Sequence, residues 1–409
     1  MSKYSGLIKE AEESLRPVFL RMEETELTCQ KRVLEAFREN RVAARHFNPT
    51  TGYGYDDEGR DTLDRIFAEV MQAEAALAVP QLSSGTHTIF MALVGVLRPG
   101  DVLLSAAGRP YDTMLEAIGI EGNAPGSLRE FGVEYREIAL SEEGGIDFSA
   151  LEKALVDKPK LVYFQRSRGY AWRNSLLPIE MKPAFDLIKR LSPNSVIFVD
   201  NCYGEFTQKD EPTAFGADLI VGSLIKNPGG GIAPTGGYIA GRRDLIDAIA
   251  NRVTVPGIGR EAGCWPGGYQ PFYQGLFLAP HVVCQALKTA ALFAAVFERL
   301  GLMSMPSSAA ERSDIVQALR FNTKEQLIEF CRVIQSVSPV DSFVVPEPWA
   351  MPGYVDEVIM AAGTFVQGAS IELTADAPIR EPYTAYIQGG LTYSHGRIAV
   401  ETVLDSIEF

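Results

Sequence analysis

Short apolar runs recur along the central part of the chain, with helical patterns between them. The runs show little polar alternation, which is typical of strands buried on both faces of a parallel sheet. Amphipathic stretches at 86–97, 149–156 and 181–191 separate several of the runs. This alternation predicts a series of βαβ units and an α/β domain. The predicted strands are Leu77–Leu82, Val102–Ser105, Val133–Ile138, Leu161–Gln165, Val196–Asp200, Leu219–Gly222 and Gly237–Ala240.

The two ends of the chain follow other patterns. Residues 7–40 have the apolar spacing of a long helix, which proline, asparagine and glycine interrupt at 46–55. A charged helix is predicted at about 59–74. Residues 252–275 form a long loop rich in glycine, proline and aromatic residues, a type that often has a function, and a helix at about 280–300 follows. These patterns predict an N-terminal helical arm (1–58), a large domain (59–275) and a smaller α+β domain (276–409).

Composition places the chain among ordinary globular proteins and limits its partners. It has 409 residues, of which 46% are hydrophobic and 22% charged. The net charge of −14 argues against a nucleic-acid partner and against binding to an anionic membrane surface. The most apolar stretch, 281–297, contains Gln285 and Lys288, so no membrane helix is predicted. Residues 1–5 lack the apolar core of a secretion signal.

Cysteine and histidine usage indicates a cellular location and argues against a metal. The five cysteines are scattered and form no CxxC pair, which is typical of free thiols in a reducing cytoplasm. The four histidines show no metal-ligand spacing, so no metal site is predicted. We therefore expect a cytoplasmic protein.

Two charged residues follow apolar strands at the centre of the predicted sheet. Asp200 ends the strand that begins at Val196, and Lys226 completes a Ser-x-x-Lys sequence just after the next strand. A lysine there can lose its proton through desolvation and become a nucleophile. A neighbouring carboxylate can pair with a pyridinium nitrogen, which together gives the arrangement that a pyridoxal phosphate (PLP) enzyme needs. Considered without the other, a lysine that follows a strand is more often a solvated surface charge. An aspartate at a strand end can instead cap the backbone N–H groups that follow it.

A candidate phosphate site precedes this pair in the chain. Ser84, Gly85 and Thr86 stand between an apolar strand and an apolar helix. Backbone N–H groups at a helix N-terminus bind phosphate, and glycine lets the ligand approach closely. Ser223 could donate a further hydrogen bond. The alternative is a plain N-cap by Ser84 or Thr86, but the aspartate and lysine that follow in order favour the phosphate site.

Two tyrosines near strand ends are candidates for contact with the cofactor. Tyr111, in the loop after Val102–Ser105, could stack on a ring and pass protons, or it could be a residue of a surface loop. Tyr203 follows Asp200 closely and could reach the phenolic oxygen of the cofactor. We interpret Cys202 as an inert core thiol.

Arginines could bind the carboxylate of an amino-acid substrate, because guanidinium grips carboxylate through two hydrogen bonds. Arg380 is the first candidate, ahead of Arg166, Arg168 and Arg397, and each could instead form a surface ion pair. Arg60, near Tyr55, could reach a phosphate. No Walker A loop, dinucleotide-binding turn or nucleophile elbow is found in the sequence.

These sequences resemble the fold-type I PLP enzymes, and within them the cystathionine and methionine lyase branch. Ser83-Ser84-Gly85 is similar to its phosphate loop, and Tyr111 to its ring-stacking tyrosine. Asp200-Asn201 and Ser223-x-x-Lys226 are similar to its Asp-Asn pair and its Schiff-base sequence. Ile225 and Cys202 stand where that branch usually has a hydroxyl residue and threonine. Further stretches resemble the methionine gamma-lyase-like family known as aluminium-resistance proteins: 51–57, 84–87, 165–170, 226–231 and 388–393.

The resemblance implies an aspartate aminotransferase-type fold: an α/β large domain with a mostly parallel sheet, plus a smaller α+β C-terminal domain. It implies PLP as cofactor and a carbon–sulfur lyase that acts on a small sulfur-containing amino acid by beta- or gamma-elimination. Lys226 would hold PLP as a Schiff base and take the α-proton, and Tyr111 would protonate the leaving thiol.

The resemblance also implies a homodimer or homotetramer with shared active sites, in which Tyr55, Arg60 and residues 252–275 reach the neighbouring subunit. Two alternatives stay open at this point. One is a PLP-dependent aminotransferase, or a lyase acting on a non-sulfur amino acid. The other is a non-catalytic stress-response protein on the same fold.

Overall fold

The large domain is built on a seven-stranded sheet. A computed structural model describes residues 4–141, 144–351 and 356–409. The strands of this sheet are β1 Ala75–Val79, β2 Val102–Ser105, β3 Glu134–Glu137, β4 Leu161–Gln165, β5 Val196–Asp200, β6 Leu219–Ser223 and β7 Gly237–Gly241. Their order is β1-β7-β6-β5-β4-β2-β3. Strands β2 to β6 run parallel, whereas β7 is antiparallel to β6 and β1, so the predicted mostly parallel sheet is confirmed.

Both faces of this sheet are buried. Along β4, Val162 and Phe164 belong to one hydrophobic core, and Leu161 and Tyr163 belong to the other. Successive side chains of a strand point to opposite faces, so a strand between two cores must be apolar at every position. This explains why the sequence shows continuous apolar runs there.

Helices cover the sheet and extend the domain at its N-terminal side. The N-terminal helix α1 (Ser5–Glu39) packs along helix α8 (Gln270–Arg299). Phe37 of α1 packs edge-on against Tyr273 of α8 at 5.9 Å between ring centroids, and Lys288 of α8 pairs with Glu23 of α1 at 2.7 Å. The N-terminal arm is therefore fixed along α8. The helices up to this point are α1 Ser5–Glu39, α2 Glu58–Val70, α3 Gly85–Val96, α4 Asp112–Ile118, α5 Phe148–Ala154, α6 Pro178–Leu191, α7 Arg243–Val253 and α8 Gln270–Arg299.

The predicted boundaries of β1 and α8 are wrong. β1 ends at Val79 instead of Leu82, because Pro80 has no N–H for the ladder and starts a turn. α8 begins at Gln270, ten residues before the predicted start at Pro280. Its first-turn proline is Pro271, whereas Pro280 lies inside the helix. The predicted domain division at residues 275 and 276 consequently falls within α8.

The C-terminal domain contains a second sheet, in which every pairing is antiparallel. Its order is β10-β11-β12-β9-β8. The predicted smaller α+β domain is confirmed. Its elements are β8 Ser304–Met305, β9 Val316–Arg320, α9 Lys324–Ser336, β10 Val358–Ala361, β11 Thr374–Pro378, β12 Thr384–Gln388 and α10 Tyr393–Ser406.

Helix α8 is also long and apolar enough to cross a membrane, judged by length and composition. The apolar stretch identified in the sequence, 281–297, lacks the first turns of this helix. Within the protein, 72% of its most apolar window is buried. α8 is therefore the central core helix, packed between α1 and the C-terminal domain.

A buried ion pair of the large domain is hydrogen-bonded to the C-terminal domain. Arg166 donates to Glu211 at 3.1 Å and to Asn201 at 2.7 Å, and its Nε donates to Ser313 at 2.8 Å. Both charged side chains are fully buried. One of the predicted carboxylate-binding candidates, Arg166, is thus already occupied in the structure.

Replacing Glu211 with alanine is expected to lower the free energy of unfolding by about 3–5 kcal/mol, because it leaves the Arg166 charge buried without a partner. Urea unfolding followed by circular dichroism measures this change. The exposed pair Lys182–Asp186 is the control, and Asp186→Ala should change the same quantity by less than about 0.5 kcal/mol. Equal small effects of both substitutions would contradict the assignment.

Candidate active site

The carboxyl edge of the large sheet gathers residues that are far apart in sequence. Asp200 ends β5, Ser223 ends β6, and Lys226 follows three residues later. Gly85, at the start of α3, faces them: a Cβ placed on it would lie 3.5 Å from Ser223 Cβ and 3.8 Å from Lys226 Nζ. Parallel strands end at one edge, and α/β proteins bind ligands there.

Lys226 lies in a partly buried position against an aromatic ring. Its Nζ is 3.9 Å from the centroid of the Tyr203 ring, a cation–π distance. Burial lowers the pKa of Lys226, but Cys202, Tyr203 and Asp200 together raise the pKa by more. The net pKa is raised, so the prediction that desolvation removes the proton is wrong. The charge of Asp200 and the contact with the Tyr203 side chain favour the ammonium form, against the effect of burial.

Asp200 is almost entirely buried and held by two donors. The Cys202 amide donates to Oδ1 at 3.1 Å, and the Tyr163 hydroxyl donates to Oδ2 at 3.2 Å. Burial raises the pKa of Asp200, while the charge of Lys226 and these hydrogen bonds lower it in part. Gln165 of β4 is its partner in the ladder. The carboxylate is therefore fixed at the centre of the edge.

The N-terminus of α3 provides a site for an anion. Ser84 caps the helix by accepting a hydrogen bond from the His87 amide at 3.1 Å. The capping alternative considered for Ser84 is therefore present, and it leaves the first-turn N–H groups of Gly85 and Thr86 at the open end of the helix. The Thr86 side chain is 2.7 Å from Thr113 Oγ1, which ties this end to the first turn of α4.

Tyr203 and Cys202 both face the site. Tyr203 has a φ of +71°, a left-handed conformation that is uncommon outside glycine and concentrates at functional sites. Its hydroxyl lies 3.2 Å from Ser370 Oγ of the C-terminal domain. Cys202 Sγ lies 3.3 Å from the position of a Cβ on Gly85. Burial raises the pKa of Cys202, so the thiol stays protonated, in keeping with an unreactive sulfur.

Tyr111 lies above the carboxyl end of β4. Its ring carbon Cδ2 is 3.3 Å from the position of a Cβ on Gly169, and its ring meets Tyr170 edge-on at 5.7 Å. The next residue but one, Thr113, contacts Thr86. Tyr111 therefore lies at the carboxyl edge of the large sheet, near the N-terminus of α3.

Tyr55 and Arg60 lie elsewhere in the chain. Tyr55 is 60% exposed and stacks on Tyr53 at 5.3 Å. Arg60 is buried and donates to the Gly54 carbonyl at 2.8 Å and to Asp61 at 2.8 Å. None of the contacts described for Arg60 is with Lys226 or Gly85, so within one subunit these two residues do not join the site.

The arginine candidates are spread over the molecule. Arg380 pairs with Asp356 at 2.8 Å and keeps half of its side chain exposed. Burial raises the pKa of Asp112, the neighbour of Tyr111, and the charge of Arg380 lowers that pKa in part. Arg168 is buried, and its amide donates to Asp314. Arg397, in the first half of α10, pairs with Glu12 at 3.1 Å. Of these, Arg380 and Arg168 lie next to segments that form the site.

The structure adds residues that the sequence patterns did not single out. Asp376 of β11 accepts from Tyr170 at 3.2 Å and from Gln388 at 3.0 Å, and the charge of Lys226 acts on it. Tyr163 and Gln165 stand on β4 beside Asp200. A polar residue that ends or interrupts an apolar strand is the signal common to Gln165 and Asp376.

Metal ligation finds no support among the described residues. They contain no group of three or more histidine, cysteine, aspartate or glutamate side chains that could hold an ion. The predicted absence of a metal stays a prediction.

A comparison with known protein families agrees with this arrangement of Lys226, Asp200 and Gly85. A model of the methionine gamma-lyase family matches residues 4–408. The chain belongs to this family. The predicted family is therefore confirmed.

Several similar proteins match this chain over nearly its full length. The uncharacterized protein YnbB of Bacillus subtilis is 51% identical, covering 97% of this chain and 95% of its own. A Listeria monocytogenes structure, described as a proposed cystathionine beta-lyase involved in aluminum resistance, has a TM-score of 0.97 at 49% identity and covers 98% of this chain and 100% of that one. A Clostridium novyi carbon–sulfur lyase involved in aluminum resistance has a TM-score of 0.94 at 49% identity, with coverages of 98% and 94%.

A distant structure shows the fold. The Escherichia coli protein YhfS, described as PLP-dependent, has a TM-score of 0.62 at 17% identity and covers 94% of this chain and 97% of that one. The fold is the one that the sequence resemblance implied, with the large sheet and the C-terminal sheet in place.

The residues of this family member fit PLP. Glycine at position 85 leaves open a cradle between Cys202, Ser223 and Lys226 that a single Cβ would narrow. The helix N-terminus suits a phosphate. A buried carboxylate at position 200 suits a protonated ring nitrogen, and Lys226 offers the amine that an aldehyde requires.

Proposed function

We propose that this protein is a PLP-dependent carbon–sulfur lyase that acts on a sulfur-containing amino acid by beta- or gamma-elimination. The observation that carries the proposal is the convergence of Lys226, Asp200 and Gly85 at one sheet edge. Membership in the methionine gamma-lyase family and the similarity to the Clostridium novyi carbon–sulfur lyase support it.

Each part of the cofactor has a group in the chain suited to it. Lys226 would hold the aldehyde carbon, and Asp200 the ring nitrogen. The amides of Gly85 and Thr86, with the hydroxyls of Ser84 and Ser223, would hold the phosphate, and Tyr111 and Tyr203 would flank the ring. When bound, PLP withdraws electrons from the α-carbon of an amino acid and so weakens the bonds around it.

The protein residues supply the proton transfers. Lys226 would take the proton from the α-carbon, and Tyr111 would give a proton to the departing sulfur. The acidic groups around Lys226 stabilise a proton on its Nζ, which suits a base that must hold the proton it has taken. Arg380 would bind the substrate carboxylate from the C-terminal domain.

The reaction can be tested with methionine, cystathionine and cysteine. A lyase releases ammonia and a keto acid without any added keto acid, whereas an aminotransferase needs an amino acceptor. Release of both products from at least one of the three amino acids, in the absence of an acceptor, is the expected result. Turnover only with an added keto acid would replace the proposal with the aminotransferase alternative.

We also propose a homodimer or homotetramer with shared sites, in the cytoplasm. The stacked, exposed Tyr53 and Tyr55 lie just before α2, and the buried Arg60 lies in its first turn. None of the contacts described for these residues is with Lys226 or Gly85. A neighbouring subunit would bring Tyr55 and Arg60 to the phosphate. Sedimentation analysis that finds only monomers at full activity would contradict this arrangement.

Gly85→Ala is expected to weaken PLP binding by about tenfold to hundredfold, since the new Cβ would lie 3.3 Å from Cys202 Sγ inside the cradle. Titration of cofactor-stripped protein with PLP, followed by absorbance, measures the change. Gly6→Ala is the matched control near the start of another helix, because no atom lies within 4 Å of its added Cβ. An unchanged affinity in Gly85→Ala would remove Gly85 from the site.

A further inference from the structure

The residue that follows Lys226 is a fully buried asparagine. Asn227 begins the short turn Asn227–Gly229 and has no exposed surface. Its Nδ2 donates to the Tyr203 carbonyl at 2.9 Å and to the Glu205 carbonyl at 3.0 Å. One side-chain amide therefore joins the turn that carries the lysine to the segment that follows β5.

The segment held by Asn227 has an uncommon backbone conformation. Tyr203 has a φ of +71° and Phe206 a φ of +62°, both in the left-handed region. Such a conformation in residues other than glycine persists only where surrounding contacts hold the chain. In the part of the chain that the structure describes, no second donor reaches the carbonyl of Tyr203 or of Glu205. Without the Asn227 amide, two acceptors of a mostly buried segment would lack partners, which favours a different backbone conformation.

The backbone conformation of Tyr203 determines where its ring lies. The ring centroid is 3.9 Å from Lys226 Nζ, and the hydroxyl is 3.2 Å from Ser370 Oγ. The φ of a residue sets the direction of its side chain, so a change from positive to negative φ would move the ring away from the amine. Lys226 and the donor that fixes its aromatic neighbour are therefore adjacent residues of one turn.

The C-terminal domain contains a similar contact far from the site. Gln335 of α9 is a buried amide whose Nε2 donates to the Asp341 carbonyl at 2.9 Å, and Asp341 has a φ of +52°. None of the hydrogen bonds described for Gln335 is with Lys226 or Tyr203. Gln335 therefore serves as a matched control for the loss of a buried amide that holds a left-handed residue.

We propose that Asn227 is a positioning residue that places the ring of Tyr203 against the amine of Lys226. Asn227 acts through the backbone of Tyr203, because its described donor bonds end on carbonyl oxygens and none ends on the Lys226 side chain. The importance of this placement for catalysis rests on the proposed function, in which the ring would flank PLP. The placement itself requires no cofactor, so it can be measured on cofactor-stripped protein.

Asn227→Leu is expected to accelerate acetylation of Lys226 about threefold to tenfold. Leucine has a similar shape but donates no hydrogen bond, so the ring would leave the amine. The aromatic face favours the ammonium form, and only the neutral amine reacts with acetic anhydride. Loss of the contact should lower the pKa of Lys226 by about half a unit to one unit. Peptide mass spectrometry of cofactor-stripped protein labelled at about pH 8 measures the rate, which Gln335→Leu should leave unchanged.

A double-mutant cycle with Tyr203→Ala separates positioning from a general loosening of the turn. In the Tyr203→Ala background no ring remains to be placed, so Asn227→Leu should change the labelling rate by less than about twofold. A loosened turn would accelerate labelling by the same factor in both backgrounds, and this result would overturn the inference. An unchanged rate in Asn227→Leu alone would also overturn it. Asn227→Ser replaces Asn227→Leu in the cycle if the leucine variant does not fold.

Binding of PLP provides a second readout of the same cycle. Asn227→Leu and Tyr203→Ala should each weaken PLP binding about tenfold, and the double variant should bind within about twofold of Tyr203→Ala. Absorbance titration of cofactor-stripped protein measures these constants, and Gln335→Leu should match the wild type. If methionine, cystathionine and cysteine are all left uncleaved but the labelling cycle gives the expected result, only the lyase function fails. Cleavage of one of them, with independent effects of the two substitutions in both cycles, would overturn the inference and leave the lyase function standing.

Discussion

Replacing Lys226 with alanine is expected to lower kcat for the elimination by about 10⁴-fold or more. The substitution removes the amine that would hold the cofactor and the base that would take the α-proton, and loss of a general base alone costs about 10²–10⁴-fold. Continuous detection of keto acid and ammonia release measures the change. The fold should survive, since Lys226 lies against the Tyr203 ring and forms no salt bridge with a described residue.

Lys182→Ala provides the control for this experiment. Lys182 lies on α6, is 45% exposed and pairs with Asp186 on the surface. Its removal should leave kcat unchanged. If the wild type and Lys226→Ala release products at equal rates, Lys226 has no catalytic role and the proposed function is wrong.

Asp200→Asn is expected to lower kcat by about 10²–10³-fold, the usual effect of removing one fixed electrostatic group from an active site. The amide oxygen can still accept from the Cys202 amide and from the Tyr163 hydroxyl. It lacks the negative charge that would keep the ring nitrogen of PLP protonated. Steady-state kinetics, scaled to the amount of bound PLP, separates this effect from a loss of cofactor.

Asp64→Asn is the matched control for Asp200. Asp64 is another buried carboxylate, whose oxygen accepts from the Ala78 amide at 2.7 Å and from Arg260, and it lies on α2, outside the site. Its substitution should affect stability and leave kcat per bound PLP unchanged. Full activity of Asp200→Asn would show that the carboxylate does not act on the cofactor.

The sequence was sufficient to predict the large sheet and the grouping of its strand-end residues. Strands buried on two faces are apolar at every position, so β4 to β6 stood out as uninterrupted runs. Parallel strands place their carboxyl ends together, which is why Asp200, Ser223 and Lys226 could be expected at one edge. Their roles toward a cofactor stay predictions.

Interactions between distant segments could not be predicted in this way. The pKa of Lys226 depends on Cys202 and Tyr203 as well as on burial, and the balance of these effects requires their positions in space. Asp376 lies in a short strand whose partner from the large domain, Tyr170, is 206 residues away in the chain. Pro80 and Pro280 gave ambiguous boundaries, because proline can precede, begin or interrupt a regular element.

The most direct test of the central claim is reduction of the purified protein with borohydride, followed by peptide mass spectrometry. Borohydride converts a lysine–PLP linkage into a stable secondary amine on the side chain that carried it. The account predicts loss of the visible absorption band and a pyridoxyl phosphate adduct on the peptide containing Lys226. An adduct on a different lysine, or none in protein saturated with PLP, would contradict it.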